Sequence, residues 1–207
     1  MDDAFDRMAA TGERLVPNYT PCDPRDQVAH ITRYEWARQF CKDRAVLDAA
    51  CGCGYGTAIL ADVAHSVHGI DISSEAIAYA WKNYCRTNVG FEVRQVEQLN
   101  NIPGRFDVIV SFETIEHLFR PSRMLRQVHL KLAPYGLFIV SAPEGSASAW
   151  HFWNFNKLDL LGTLRTQFGD VPISYYAQNF GSQIVKDGEF EFSEKAPRTH
   201  IFVVEVH

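Results

Sequence analysis

The chain has 207 residues, of which 46% are hydrophobic and 22% charged, and its formal net charge is −5. This composition is typical of a soluble globular protein with one sizeable core. The sequence contains neither a long apolar run nor a cluster of Lys and Arg residues, which argues against a membrane span and against a duplex-binding surface.

The N-terminus and the cysteines indicate the compartment. The first residues are acidic and polar, where a signal peptide is basic and then apolar. The five cysteines form no CxxC pair, which predicts reduced thiols rather than a disulfide framework. Both observations predict a cytoplasmic protein.

Short runs rich in Val, Ile and Phe alternate with helical patterns along the chain. The predicted strands are 45–50, 66–71, 91–96, 106–111, 136–141, 171–180 and 199–207. The predicted helices are 25–41, 56–64, 73–87, 121–132 and 156–168. Ser73 or Ser74 is a candidate cap for the third helix, and Pro121 suits the first turn of the fourth.

This alternation predicts the α/β class, with a Rossmann-like, doubly wound sheet of seven strands and helices on both faces. The sheet is expected to be mostly parallel and to end in an antiparallel C-terminal strand, because no helix separates the last two strands. We expect one domain over 1–207, in which 1–43 form an N-terminal arm and a covering helix, and 44–207 form the core.

The stretch "VLDAACGCGYGT" places a glycine-rich turn directly after the first strand, where ligands bind in such sheets. Its glycines, at 52, 54 and 56, do not fit the GxGxxG fingerprint of dinucleotide sites, which disfavours a pyrophosphate ligand. Asp71 ends the second strand, and a carboxylate there can accept hydrogen bonds from both ribose hydroxyls. The turn and the acid together predict an adenosine-type ligand.

With "GIDIS", "FDVIVSFETIEHL" and "LAPYGLFIVSAPE", this stretch resembles the successive motifs of the class I S-adenosylmethionine-dependent methyltransferases. The resemblance implies S-adenosylmethionine as cofactor. It implies a methionine pocket shaped by Asp48, Ala50, Gly52 and Gly54, a ribose held by Asp71 and Ile72, and an adenine bordered by Gln95, Val96 and Glu97. Ser111 completes this set, and Arg14 or Arg33 is a candidate partner for the methionine carboxylate, although both arginines also suit a solvated helix face.

Two positions depart from the family pattern. Ala50 stands where the family usually has its first glycine. Gln95 stands where an acid commonly receives the adenine amino group, although a Gln carbonyl oxygen can also accept that bond.

A second candidate site follows the fourth strand, where Glu113, Glu116 and His117 share one face if the segment is helical. The spacing E-x-x-E-H is similar to that of small-RNA 2′-O-methyltransferases and ubiquinone-pathway O-methyltransferases, where it binds a divalent metal. That resemblance implies Mg²⁺ or Mn²⁺ held by Glu113, Glu116, His117 and His151. Two alternatives stay open: His117 or His151 as a metal-free base with Glu116, and purely structural roles.

The remaining histidines have no clustered partners and are expected to be ordinary surface or core residues. Aromatic residues crowd the segment 150–155, which either forms an acceptor wall or packs as core under the next helix. Cys51 and Cys53 are expected to fill a tight turn without binding metal, because C-x-C supplies only two ligands.

These observations predict a methyltransferase that modifies an oxygen or nitrogen atom of a small-molecule or glycan acceptor. A metal-dependent RNA 2′-O-methyltransferase is the nearest alternative, disfavoured by the acidic balance. A nicotinamide-dependent oxidoreductase and a non-catalytic cofactor-binding protein are alternatives of other classes. DNA is not expected as a partner, because "SFET" replaces the Asn/Asp-Pro-Pro-aromatic run of base aminomethylases. The oligomeric state does not follow from the sequence.

Overall fold

The computed structural model describes residues 15–17, 23–145, 150–179, 183–187 and 199–207. The chain divides into two compact units, Met1–Val96 and Glu97–His207. None of the helices in the described ranges combines the length and the apolar character needed to cross a membrane.

Three strands and three helices alternate in the first unit. In chain order they are α1 (Pro24–Cys41), β1 (Ala45–Ala49), α2 (Tyr55–Ala61), β2 (Ser66–Asp71), α3 (Ser74–Tyr84) and β3 (Val89–Val93). The three strands are parallel, and β2 pairs with both β1 and β3. Both connections are therefore crossovers through a helix, as parallel pairing requires.

Local sequence signals explain where two of these helices begin. Asp23 caps α1 by accepting a hydrogen bond from the Arg25 amide at 2.9 Å, and Pro24 occupies the first turn. Ser73 caps α3 by accepting from the Ala76 amide at 3.1 Å, which confirms the predicted cap. Ser73 lies two residues after Asp71, the last residue of β2, so α3 begins close to the end of that strand.

The second unit begins with two strands and continues into an antiparallel region. Its elements are a 3₁₀ turn (Leu99–Asn101), β4 (Phe106–Ser111), a second 3₁₀ turn (Ile115–His117), α4 (Pro121–Lys131), β5 (Leu132–Pro143), α5 (Lys157–Phe168), β6 (Ile173–Gln178), β7 (Ile184–Lys186) and β8 (Thr199–Glu205). β4 and β5 are parallel, β8 lies antiparallel between β5 and β6, and β7 pairs with β6.

The α/β class and the antiparallel C-terminal pairing are confirmed. The described residues contain eight strands rather than the predicted seven, because β7 lies inside a polar segment and is too short to show a period. β3 begins at Val89, two residues before the predicted start. Pro121 occupies the first turn of α4, as predicted.

Candidate functional site

The turn after β1, residues 50–54 (the cofactor turn), is tied to the neighbouring strand. The amides of Ala50 and Cys51 both donate to the Ile70 carbonyl, at 2.9 and 2.8 Å. Ala50 adopts φ 73°, a left-handed conformation that favours glycine. The backbone therefore keeps the shape that the missing family glycine would give, at some cost in strain.

The two glycines predicted to contact the cofactor have different surroundings. A Cβ atom at Gly54 would lie 2.6 Å from the Ala80 Cβ atom and 2.9 Å from the Phe91 ring, so this glycine is required for packing. A Cβ atom at Gly52 would meet nothing within 4 Å. Gly52 is therefore the position where a ligand can approach the backbone of the turn.

Asp71 is held in a fixed orientation at the end of β2. Its Oδ2 atom accepts from the Gly52 amide at 3.0 Å, and its Oδ1 atom accepts from the Ser73 amide at 2.9 Å. A carboxylate has about four acceptor positions and can accept further hydrogen bonds beside two such donors. The next side chain, Ile72, is 61% exposed and offers an apolar surface beside the acid.

Asp48 is completely buried, with an exposed fraction of 0%. The hydroxyl of Tyr34 donates to its Oδ1 atom at 3.1 Å, and the hydroxyl of Thr57 donates to its Oδ2 atom at 2.6 Å. Burial raises the pKa of Asp48 to about 7, although the two hydrogen bonds lower it. No sequence pattern singles out Thr57, because its contact with Asp48 depends on the packing of α2 against β1.

The other predicted cofactor residues are distributed between surface and interior. Gln95 is exposed, Glu97 is half-buried, and Val96 and Arg33 are buried. Ser111 is buried at the end of β4, and its Oγ atom has no hydrogen-bond partner among the described residues. Arg14 lies outside the described residues.

In the second unit, three predicted catalytic residues come together. One ligand atom each from Glu116, His117 and His151 (the Glu116 cluster) lies within 4.8 Å of the others. The Nε2 atom of His117 is 3.8 Å from Glu116 Oε1, and the two imidazole rings pack edge to face at 4.7 Å. Within the described residues, this is the group whose donors could hold a metal ion.

Backbone contacts hold the two segments of this cluster together. The amides of Phe152 and Trp153 donate to the Glu116 carbonyl at 2.9 and 3.2 Å. His117 Nδ1 lies 3.1 Å from the Trp150 carbonyl oxygen. Because a carbonyl oxygen only accepts, Nδ1 carries the hydrogen and Nε2 is the nitrogen that can bind a proton or a metal.

Glu113 lies outside this cluster. It adopts φ 49° and precedes the 3₁₀ turn. The prediction that Glu113, Glu116 and His117 share one helical face is therefore wrong. Its Oε1 atom accepts from the Ser141 hydroxyl at 2.8 Å, and its amide donates to the same hydroxyl at 3.1 Å. Glu113 therefore contacts Ser141 on β5.

An exposed aromatic surface borders the cluster. Its members are Phe119, Trp150, Phe152 and Trp153, with exposed fractions of 69%, 60%, 65% and 45%. Phe119 and Phe152 pack edge to face, and the Trp153 indole donates to the Leu118 carbonyl at 2.9 Å. Phe155, in contrast, is buried, as the prediction of a core role requires, and the predicted acceptor wall stays a prediction for the exposed residues.

The sequence patterns did not predict a polar network around His200. His200 was predicted to be an ordinary residue, yet it is buried between the Tyr175 hydroxyl, 2.9 Å from Nδ1, and the Glu144 carboxylate beside Nε2. Burial lowers the pKa of His200, against the neighbouring charge of Glu144. Tyr175 lies on β6, His200 lies on β8, and Glu144 directly follows β5, so no local sequence pattern links them.

Comparisons with known proteins identify the family. Residues 41–172 match the sequence model of a methyltransferase domain family, and the chain belongs to that family, within the class I S-adenosylmethionine-dependent methyltransferases. This membership decides against the alternative of a nicotinamide-dependent oxidoreductase.

Two curated relatives are similar to this chain in sequence. A probable S-adenosylmethionine-dependent methyltransferase of Mycolicibacterium smegmatis is 32% identical over 134 residues, 65% of this chain and 51% of that protein. A ubiquinone biosynthesis O-methyltransferase of Pseudomonas paraeruginosa is 31% identical over 112 residues, 53% of this chain and 48% of that protein. The chain thus spans about half the length of these curated relatives.

The fold agrees with this assignment. The N-methyltransferase NodS of Bradyrhizobium japonicum, in complex with S-adenosylhomocysteine, superposes with a TM-score of 0.67 over 99% of both chains at 15% identity. In the first unit, the space at Gly52 is open, and the Gly52 amide orients the carboxylate of Asp71.

Proposed function

We propose that this chain is a cytoplasmic enzyme that transfers the methyl group of S-adenosylmethionine to an oxygen or nitrogen atom of a small-molecule or sugar-containing acceptor. The observation that carries the proposal is the carboxylate of Asp71, which the amides of Gly52 and Ser73 orient. An acid held in this way is suited to the two hydroxyls of a ribose.

The Glu116 cluster supplies the chemistry on the acceptor side. Methyl transfer from a sulfonium is an in-line displacement, so the protein must position the acceptor atom and receive its proton. In our proposal His117 receives this proton at Nε2, while its Nδ1–H group remains bound to the Trp150 carbonyl. The carboxylate of Glu116, 3.8 Å from Nε2, stabilises the resulting imidazolium.

The aromatic surface supports an acceptor that contains a ring. The exposed side chains of Phe119, Trp150 and Phe152 offer ring faces and edges to a planar or sugar ring beside the Glu116 cluster. The acidic balance of the chain, −5 in total, disfavours a polyanionic acceptor such as RNA.

A metal-dependent enzyme is the second candidate, because Glu116, His117 and His151 converge within 4.8 Å. Two imidazoles and one carboxylate suit Mn²⁺ better than Mg²⁺, which prefers oxygen ligands. A bound ion would lower the pKa of an acceptor hydroxyl. Because Glu113 binds Ser141, the ligand set has one carboxylate fewer than the E-x-x-E-H spacing suggests. The acceptor that this candidate implies is an RNA 2′-hydroxyl.

The acceptor is tested with a labelled methyl donor. The protein is incubated with tritiated S-adenosylmethionine and a fractionated cell extract, and labelled products are sorted into RNA, protein, glycans and small metabolites. We expect label in small metabolites or glycans. Label in RNA would favour the second candidate, and S-adenosylhomocysteine binding without label in any fraction would indicate a non-catalytic cofactor-binding protein.

The role of metal is tested on the labelled product. Metal-free catalysis by His117 predicts that EDTA leaves the rate unchanged and that His151→Ala retains activity. Loss of activity with EDTA and recovery with Mn²⁺ would instead establish the metal-dependent candidate. His65→Ala is the matched control, because His65 is exposed and lies in the first unit.

A further inference from the structure

Asp48 is a buried acid whose described contacts include no cation. The hydroxyl groups of Tyr34 and Thr57 donate to its two oxygen atoms. Besides these two hydroxyl groups, the negative charge of Asp71 also acts on Asp48 and raises its pKa. Buried charges in proteins are normally paired with an opposite charge, so a bound proton or the cation of a ligand would suit Asp48, given its contacts within the described part of the chain.

Groups from every neighbouring element face this carboxyl group. Tyr34 and Cys41 lie on α1, Cys51 in the cofactor turn, Thr57 on α2 and Asp71 at the end of β2. Burial and the charge of Asp48 raise the pKa values of Tyr34, Cys41 and Cys51, so these groups stay neutral. Together, Asp48 and Asp71 make the ends of β1 and β2 a favourable place for a cation.

Two glycines make room for the hydroxyl groups. A Cβ atom at Gly56 would lie 2.1 Å from the ring of Tyr34. A Cβ atom at Gly69 would lie 2.9 Å from the Thr57 hydroxyl. Neither hydroxyl could reach Asp48 in the same way with larger residues at these positions, so the arrangement depends on both glycines.

The two hydroxyl groups suit both protonation states of Asp48. A hydroxyl can donate a hydrogen bond or accept one. Tyr34 and Thr57 can both donate to an ionised carboxylate, and one of them can rotate to accept from a protonated carboxyl group. A change of charge at Asp48 therefore requires no movement of the backbone.

We propose that Asp48 holds a proton in the ligand-free protein and releases it to solvent when the cationic part of S-adenosylmethionine binds. The carboxyl O–H bond breaks, the proton passes to the buffer, and a positive centre of the cofactor, its sulfonium or its α-ammonium group, balances the carboxylate. This inference rests on the proposed function, because that function supplies the cation.

The inference predicts a pH-dependent affinity. Below pH 7, affinity for S-adenosylmethionine should fall about tenfold for each pH unit, because one proton must leave for each cofactor bound. Above the range in which Asp48 titrates, this contribution should disappear.

Calorimetry in buffers with different ionisation enthalpies counts the released protons directly. We expect nearly one proton released per cofactor at a pH well below the pKa of Asp48, and almost none at a pH well above it. S-Adenosylhomocysteine distinguishes the two positive centres, because it lacks the sulfonium charge. Release with both ligands would identify the α-ammonium group, and release with S-adenosylmethionine alone would identify the sulfonium.

Variants separate Asp48 from other titrating groups, including the α-amino group of the cofactor itself. Asp48→Asn should bind without this component of proton release, whereas Asp62→Asn, an exposed acid of the same unit, should release as much as wild type. Thr57→Val removes a hydrogen-bond donor to the ionised carboxylate of Asp48, which should raise the pKa of Asp48 further. Proton release on cofactor binding should therefore persist to higher pH in this variant.

The outcomes distinguish this inference from the proposed function. Binding of S-adenosylmethionine without proton release at pH 6 would overturn the inference, and the wild-type measurement alone decides this even if a variant does not fold. Undiminished release in Asp48→Asn would also overturn it. Failure of wild type to bind either ligand would instead overturn the proposed function.

Discussion

The cofactor turn and the Glu116 cluster are built from different parts of the chain. In the first unit, backbone amides orient Asp71, and the Gly52 position leaves the turn accessible. In the second unit, side chains of a 3₁₀ turn and of a following segment form the cluster, with exposed aromatic rings beside it.

The difference has a physical consequence. A turn tied to two paired strands allows little variation, because each change disturbs buried hydrogen bonds. A cluster on connecting segments can vary its side chains while the sheet stays the same, which is how one fold accommodates different acceptors. In our proposal, the first unit therefore identifies the cofactor, and side chains of the second unit select the acceptor.

Substitutions in the Glu116 cluster should separate the two regions most clearly. His117→Ala and Glu116→Gln should each lower turnover by about 10²- to 10⁴-fold, the range for loss of a general base or of its support. Affinity for S-adenosylhomocysteine should stay the same, since the cofactor turn is untouched. Initial rates and calorimetry measure the two effects, and retained activity in both variants would show that the proton acceptor lies elsewhere.

The pH dependence of stability should reveal the buried acid of the first unit. Because folding raises the pKa of Asp48 to about 7, the folded state binds more protons than the unfolded state between about pH 4 and 7. The contribution of Asp48 to the free energy of unfolding should therefore fall as the pH rises through this window, by on the order of 4 kcal/mol.

Urea denaturation of the ligand-free protein at pH 5 and at pH 8 tests this. The difference between wild type and Asp48→Asn isolates the contribution of Asp48 from those of other titrating groups. Equal pH dependence in the two proteins would contradict the prediction.

Asp71→Asn should weaken the cofactor site without reaching the Glu116 cluster. The substitution replaces charge-assisted hydrogen bonds that contribute about 1.5–3 kcal/mol each, so S-adenosylhomocysteine should bind about ten- to a hundredfold more weakly. Isothermal calorimetry measures the change, with Asp62→Asn as the control. Unchanged affinity would reject the assignment of Asp71 to the ribose.

The smallest effect is expected at Ala50, where φ is 73°. Ala50→Gly should relieve left-handed strain of about 1–2 kcal/mol but add flexibility to the unfolded chain, for a net stabilisation of about 0.5–1 kcal/mol. Gly54→Ala is the opposite case, because its Cβ atom would lie 2.6 Å from the Ala80 Cβ atom. Thermal unfolding should give the highest melting temperature for Ala50→Gly, a lower one for wild type and the lowest for Gly54→Ala. A lower melting temperature for Ala50→Gly than for wild type would show that Ala50 is not strained.

Local sequence patterns are sufficient to predict the α/β class, the first parallel strands, the glycine turn and the acid at Asp71. These features depend on short-range signals, namely apolar runs, glycine spacing and residues at strand ends, which contacts close in sequence determine. The approach of Glu116 to His117 also follows from their adjacency. Their proximity to His151 was predicted only through a family resemblance.

The contacts between side chains of different strands, in contrast, depend on the three-dimensional packing. His200 contacts Glu144 and Tyr175, far apart in sequence, and Thr57 reaches Asp48 only because Gly69 leaves space beside its hydroxyl. The left-handed backbone at Glu113 likewise turns its carboxylate towards Ser141. Side-chain partners of this kind depend on strand register and on packing volume, which no local pattern in a single sequence specifies.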